Sequence, residues 1–244
     1  MAQTMTVAAP AAGGKSLPAR LAGVIFSPRA TYADVAARPR VVGMLALVLG
    51  IIVCATFTFL STDVGRQASV DNQVRQMESF GRTVSDAQYA RMEQIAPFAR
   101  WIAAVFQLVI TPVLALVVAG LAYAVFTAGL GGDARFKQVY AIVVHSGAIL
   151  VIQALFGLPL AYARGSLAGT TNLAVFFPVL DEATFAARAL GAVDLVLVWW
   201  LISLAIGLGV LYRKRTAPIA TTLLVIYVAI GLTIAAVKTA SAGV

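Results

Sequence analysis

The chain reads as an all-α, polytopic membrane helical bundle with five transmembrane helices, and three observations predict this class. Its 244 residues are 61% hydrophobic and only 11% charged, where a soluble domain carries roughly 25% charged residues. Several apolar runs approach the ~20 residues that cross a bilayer as a helix, and a helix satisfies its own backbone in lipid. Lysines and arginines, finally, are concentrated in alternate connections along the chain, as expected when successive loops lie on opposite sides of a membrane.

Taken in order, Met1 to Lys15 is Ala/Gly-rich and unpatterned, the composition of a disordered tail. Residues 16–40 read as an amphipathic juxtamembrane segment. Within it Ser27-Pro28 has the form of an N-cap followed by a first-turn proline. The short helix that follows, to Arg38, sets Tyr32, Val35 and Ala36 against Arg29, Asp34 and Arg38, which suits the membrane surface. The membrane domain covers 41–237, with its first span at 41–60. Residues 61–100 balance five arginines against five acids and are expected to form a helical outer loop. One helix there carries the stripe Val70, Val74 and Met77, and a second opens at the capping box Ser85-Asp86-Ala87-Gln88.

The second span, 101–130, starts at an interfacial tryptophan, Trp101. Pro112 removes the bond to the Leu108 carbonyl and predicts a kink, with Thr111 or Gln107 helping to satisfy the freed group. The third span, 138–163, carries Tyr140, His145, Ser146 and Gln153 and breaks or bends at Gly157-Leu158-Pro159. A Gly/Thr/Asn-bearing outer connection leads to spans four, 193–211, and five, 217–237, separated by Arg213-Lys214-Arg215.

The turn Gly131-Gly132-Asp133-Ala134-Arg135-Phe136-Lys137 organises the rest, because two glycines permit a reversal that other residues resist. Its cations, those before the first span and Arg213-Lys214-Arg215 belong on one side, which the positive-inside rule makes cytoplasmic. The N-terminus is then cytoplasmic and the C-terminus outside, with Lys238 the one basic residue opposing the scheme.

Three stretches carry a resemblance. Ile25-Phe26-Ser27-Pro28-Arg29-Ala30-Thr31-Tyr32, the Gly131-Gly132 turn with Phe136-Lys137-Gln138, and Asp194-Leu195-Val196-Leu197-Val198-Trp199 with Gly207 together resemble the bacterial branch of the Yip family, over roughly Leu17 to Val237. The resemblance implies five membrane helices, a cytosolic N-terminus and, for a bacterium, the inner membrane, with no assigned reaction. Eukaryotic members bind Rab-type GTPases, but this chain lacks their Asp-Leu-Tyr-Gly-Pro motif and long N-terminal tail.

Catalytic templates find no match. A single histidine excludes His-x-x-x-His zinc pairs, and neither a Gly-x-x-x-x-Gly-Lys phosphate loop nor a Gly-x-Ser-x-Gly elbow occurs. No cofactor, metal or catalytic residue is therefore expected. One cysteine, Cys54, excludes an internal disulfide, and the dispersed basic residues argue against nucleic acid despite the net charge of +8.

Depth arithmetic places Thr111, His145, Ser203 and Tyr227 near mid-bilayer, each roughly 12–18 Å from its span's end. Such a level permits hydrogen bonds across the bundle. His145 reads as a neutral side chain satisfied by Thr111 or Ser203, or else as a proton-relay or substrate-binding group; Asp194 reads as a helix cap at the outer end of span four. The small-residue pairs Ala115/Ala119, Ser203/Gly207 and Ala205/Gly209 permit close helix approach, within the chain or in a homodimer. The leading expectation is a non-enzymatic protein that organises the membrane or recruits partners through a basic cytoplasmic face. Arg29, Arg135, Phe136, Lys137, Arg213, Lys214 and Arg215 would meet anionic lipid or an unidentified membrane or cytoplasmic protein. The alternative is a small permease or channel subunit using the mid-bilayer polar level.

Overall fold

The computed structural model describes residues 14–241. The disordered tail expected for 1–15 lies, but for its last two residues, outside them; Lys15 donates to the Thr31 hydroxyl at 2.9 Å.

Two short helices, α1 (Leu17–Phe26) and α2 (Pro28–Ala37), form a hairpin about Ser27. The Ser27 side chain makes no cap bond, contrary to the sequence reading. The helices meet closely at Gly23, where a Cβ would strike the Thr31 side chain. Nor does α2 lie free on a surface. Its Thr31, Tyr32 and Val35 are fully buried against two later helices, α7 (Phe136–Ser146) and α11 (Leu195–Leu211). The physical reason is that the hairpin's polar groups pair with one another, which leaves an apolar face to bury.

After α3 (Val42–Ser61) come α4 (Asp63–Ser79) and α5 (Asp86–Ile95). The Ser85 capping box is present, with Gln88 N donating to Ser85 Oγ at 3.3 Å and Ser85 N to Gln88 Oε1 at 3.0 Å. Helix α5 does not end before the second span. It continues through Pro97 into α6 (Ala99–Tyr123), giving one helical run from Asp86 to Gly129. Pro112 stays inside it, and Gln107 donates to Thr56 on α3 at 3.1 Å. The third run, Phe136–Arg164, comprises α7, α8 (Ala148–Ile152) and α9 (Leu158–Arg164), with Gly147 between the first two and a π-helical turn, Gln153–Gly157, between the last two. Helices α10 (Phe185–Gly191), α11 and α12 (Thr216–Ser241) complete the chain.

Among the described residues four helical runs are long and apolar enough to cross a membrane: Val42–Ser61, Asp86–Gly129, Phe136–Arg164 and Thr216–Ser241. The fourth expected span, α11, has 17 residues, about 25 Å at 1.5 Å per residue against roughly 30 Å of hydrocarbon. It starts at the Asp194 cap and is stopped by Arg213, whose φ of 54° is left-handed. It is nevertheless the centre of the bundle, packed by α2, α7 and α12, with Leu201, Leu204, Ala205 and Leu208 buried. Gly207 is required there, since a Cβ would press on Ile142 and the Tyr32 ring. Helices α6 and α12 instead expose rows of large apolar residues, among them Val105, Val109, Val225 and Ile230, the surface expected to face lipid.

Candidate functional site

The basic segments converge on one end of the bundle. Gly131 takes a φ of +67°, and Gly132 packs so closely on the Phe126 carbonyl and the Tyr212 ring that no Cβ fits. Phe126 stacks on Tyr212 at 5.1 Å, and the Thr127 and Tyr212 hydroxyls lie 2.8 Å apart, so the Gly131 turn is held against the end of α11. Burial pushes the Tyr212 phenol up from its ordinary value. Gln138 Oε1 accepts from Arg135 N at 2.9 Å while its Nε2 donates to the Ala36 carbonyl at 2.9 Å, tying the start of α7 to α2. Arg29 reaches Thr216 Oγ1 at 3.5 Å.

At this end Arg29, Arg135, Phe136, Lys137, Arg213, Lys214 and Arg215 are all exposed. None of these cations is ion-paired among the described residues, where the two salt bridges are Arg20–Asp34 and Arg66–Asp63. Arg213 occupies a position where glycine is favoured: Lys214 N donates to Gly209 O at 2.9 Å, closing a Schellman-type turn. A non-glycine residue there costs about 1 kcal/mol.

Beneath this surface lies a buried polar cluster. Arg20, 1% exposed, meets Asp34 through Nε at 2.9 Å and Nη2 at 2.8 Å, and Nη2 also donates to the Arg38 carbonyl at 3.1 Å. Tyr32 Oη and Ser203 Oγ are 2.7 Å apart, and burial raises the Tyr32 phenol well above its ordinary value. His145 is fully buried with Nδ1 2.7 Å from the Ala141 carbonyl, so that nitrogen carries the proton and donates. Trp200 Nε1 donates to Ser146 Oγ at 2.9 Å. His145 Nε2 and Arg20 Nη1 are buried without a hydrogen-bond partner.

The expected polar level therefore divides. His145 bonds within its own helix, Ser203 bonds Tyr32 rather than His145, and among the described residues no hydrogen bond joins Thr111 to either. Tyr227 lies at the opposite end, accepting from Asp194 N at 2.8 Å and donating to the Ala192 carbonyl at 2.9 Å. Equal depth along separate helices did not bring these groups together, because helix rotation and the inserted α2 decide which side chains meet. Gln107 and Gln153 bond Thr56 and Asp194 respectively. Asp194 caps α11, Oδ1 accepting from Val196 N at 2.8 Å and Leu197 N at 3.0 Å. Its Oδ2 accepts from Gln153 at 3.0 Å and from the Thr171 hydroxyl.

Arg20 and Asp34 were missed as a pair. A signal was present, since each stands seven residues from Ser27, and an antiparallel hairpin brings equidistant residues together. No group of three or more His, Cys, Asp or Glu able to hold a metal occurs among the described residues.

The family model of the Yip1 domain matches residues 22–237. No curated protein and no solved structure matches the chain. The match runs from inside the α1–α2 hairpin to the last turns of α12 and takes in the basic end and all of the buried cluster but Arg20, so the chain belongs to the Yip1 family of membrane proteins.

Proposed function

We propose that this Yip1-family protein organises the membrane or recruits a partner through its basic end, without catalysing a reaction. The observation that carries this reading is the convergence of exposed cations from three separate connections on one end, with no acid paired to them among the described residues. Near an anionic surface each basic residue contributes about 1 kcal/mol. The left-handed Arg213 adds support, because strain retained at a non-glycine residue points to a use for its side chain. The positive-inside rule makes this end cytoplasmic. The N-terminus is then inside, α11 serves as the fifth span, the C-terminus is outside and, in a bacterium, the protein sits in the inner membrane. Its partners on this reading are anionic lipids, a second copy of the chain or an unidentified membrane or cytoplasmic protein.

The test is in-cell crosslinking with mass spectrometry, comparing the protein with a variant carrying Arg135→Ala, Phe136→Ala and Lys137→Ala at equal membrane abundance. Loss of a defined partner supports recruitment through this turn. A crosslinked set unchanged by the variant overturns recruitment through this turn, and one containing only copies of the protein itself removes the unidentified protein partner.

A permease or channel subunit is the second reading, favoured by the two unpartnered buried nitrogens, His145 Nε2 and Arg20 Nη1. Against it, residues 141–149 are buried without interruption. Deuterium exchange at the His145 ring within minutes would favour a water pathway; protection over hours would remove it.

A further inference from the structure

Lys238, the cation that opposes the orientation scheme, lies near the end of α12 farthest from the basic end. At 1.5 Å per residue it stands roughly 33 Å from Thr216, about one hydrocarbon thickness. When Thr216 is at one headgroup level, Lys238 is at the other. It lines a cavity of about 550 Å3 shared with Arg75 of α4 and Arg188 of α10. Arg188 Nη1 is buried there without a hydrogen-bond partner, and a buried donor of this kind needs an acceptor. Lys238 Nζ sits over the Phe80 ring, 4.9 Å from its centre, and Arg188 lines the same cavity. Arg75 donates to Ser166 Oγ at 3.2 Å. None of the three is ion-paired among the described residues.

The same cavity carries two exposed carboxylates, Glu78 and Glu182, and neither forms a salt bridge with those cations among the described residues. A site that keeps both signs separate fits a ligand that also has two. Its third wall is apolar, formed by Ile230 and Ile234, which are 56% and 45% exposed on the flank of α12. We propose that this cavity binds the headgroup of a zwitterionic aminophospholipid, with the phosphodiester facing Arg75, Arg188 and Lys238, the ammonium facing Glu78 and Glu182, and the acyl chains following α12. Guanidinium and ammonium groups hold phosphate oxygens by charge-assisted hydrogen bonds, and the carboxylates distinguish an amine headgroup from a glycerol one. The site is separate from the basic end and independent of any recruitment there.

Native mass spectrometry of the full-length protein in micelles tests it, with phosphatidylethanolamine, phosphatidylglycerol or inorganic phosphate added in turn. Phosphatidylethanolamine should be retained in preference to phosphatidylglycerol, and inorganic phosphate should not displace it. Arg188→Gln and Lys238→Gln should each weaken retention about fivefold, while Glu78→Gln combined with Glu182→Gln should erase the preference for the amine headgroup. If Arg188→Gln does not fold, as judged by its circular-dichroism melt, Lys238→Gln on the last turns of α12 decides. Equal retention of the two lipids, displacement by inorganic phosphate, or retention unchanged by the folded cation variants would overturn the proposal.

Discussion

The two polar nodes of the bundle are built on opposite plans. Near the basic end, Arg20 and Asp34 form a buried ion pair inside the α1–α2 hairpin, and Tyr32 carries the hairpin onto Ser203 of the central helix. At the far end, one carboxylate, Asp194, caps α11 and gathers Gln153 and Thr171, while its backbone N–H reaches Tyr227. The first node joins segments about 170 residues apart in sequence; the second is anchored by a local cap. Removing a charge from the first leaves its partner stranded in the core, whereas the second loses a cap and several hydrogen bonds but strands no opposite charge.

The largest effect expected from this contrast belongs to Asp34→Ala. It strands Arg20, which is 1% exposed, and should destabilise the protein by about 3 kcal/mol, the lower part of the range for a broken buried pair because Asp34 itself is 18% exposed. Replacing both partners, as Arg20→Met with Asp34→Leu, should restore most of that loss. Unfolding in mixed micelles measures both, and a double variant as unstable as the single one would show that the pair is needed for more than charge balance.

Next comes Gly207→Val, which forces side-chain bulk against Ile142 and Tyr32 and should cost about 1–3 kcal/mol. It should also raise proteolytic cleavage between α2 and α3 if the hairpin is displaced. Asp194→Ala removes the α11 cap and should cost about 0.5–2 kcal/mol, with faster hydrogen exchange confined to the first turn of α11. Exchange spreading along the whole helix would make the far node as cooperative as the near one. The smallest change is Arg213→Gly, which relieves a left-handed arginine and should stabilise by about 1 kcal/mol, read as a higher melting temperature alongside weaker binding to anionic vesicles.

Much of the fold was legible because its signals are local. The capping box at Ser85, the reversal at Gly131 and the cap at Asp194 each depend on residues within a few positions of one another. The continuity of α5 into α6 was not legible: a proline inside a helix usually breaks it, but Pro97 is accommodated in a 3-10 turn that passes the helix on. The hydrogen-bond partners of the polar residues were not legible for a different reason: axial rise fixes depth but not rotation, and Ser203 meets Tyr32 and not His145.

By itself the sequence determined the helical membrane class, the places where helices start and reverse, and the separation of basic from balanced connections, because hydropathy, capping and charge act over short stretches. Tertiary structure alone decided that α11, 17 residues long, stands at the centre while longer helices face outward. It alone decided that a segment read as surface-lying is docked in the core, where its buried arginine meets its own acid. These outcomes follow from close approach at Gly23 and Gly207, and such contacts depend on how helices rotate against each other, which no local pattern encodes.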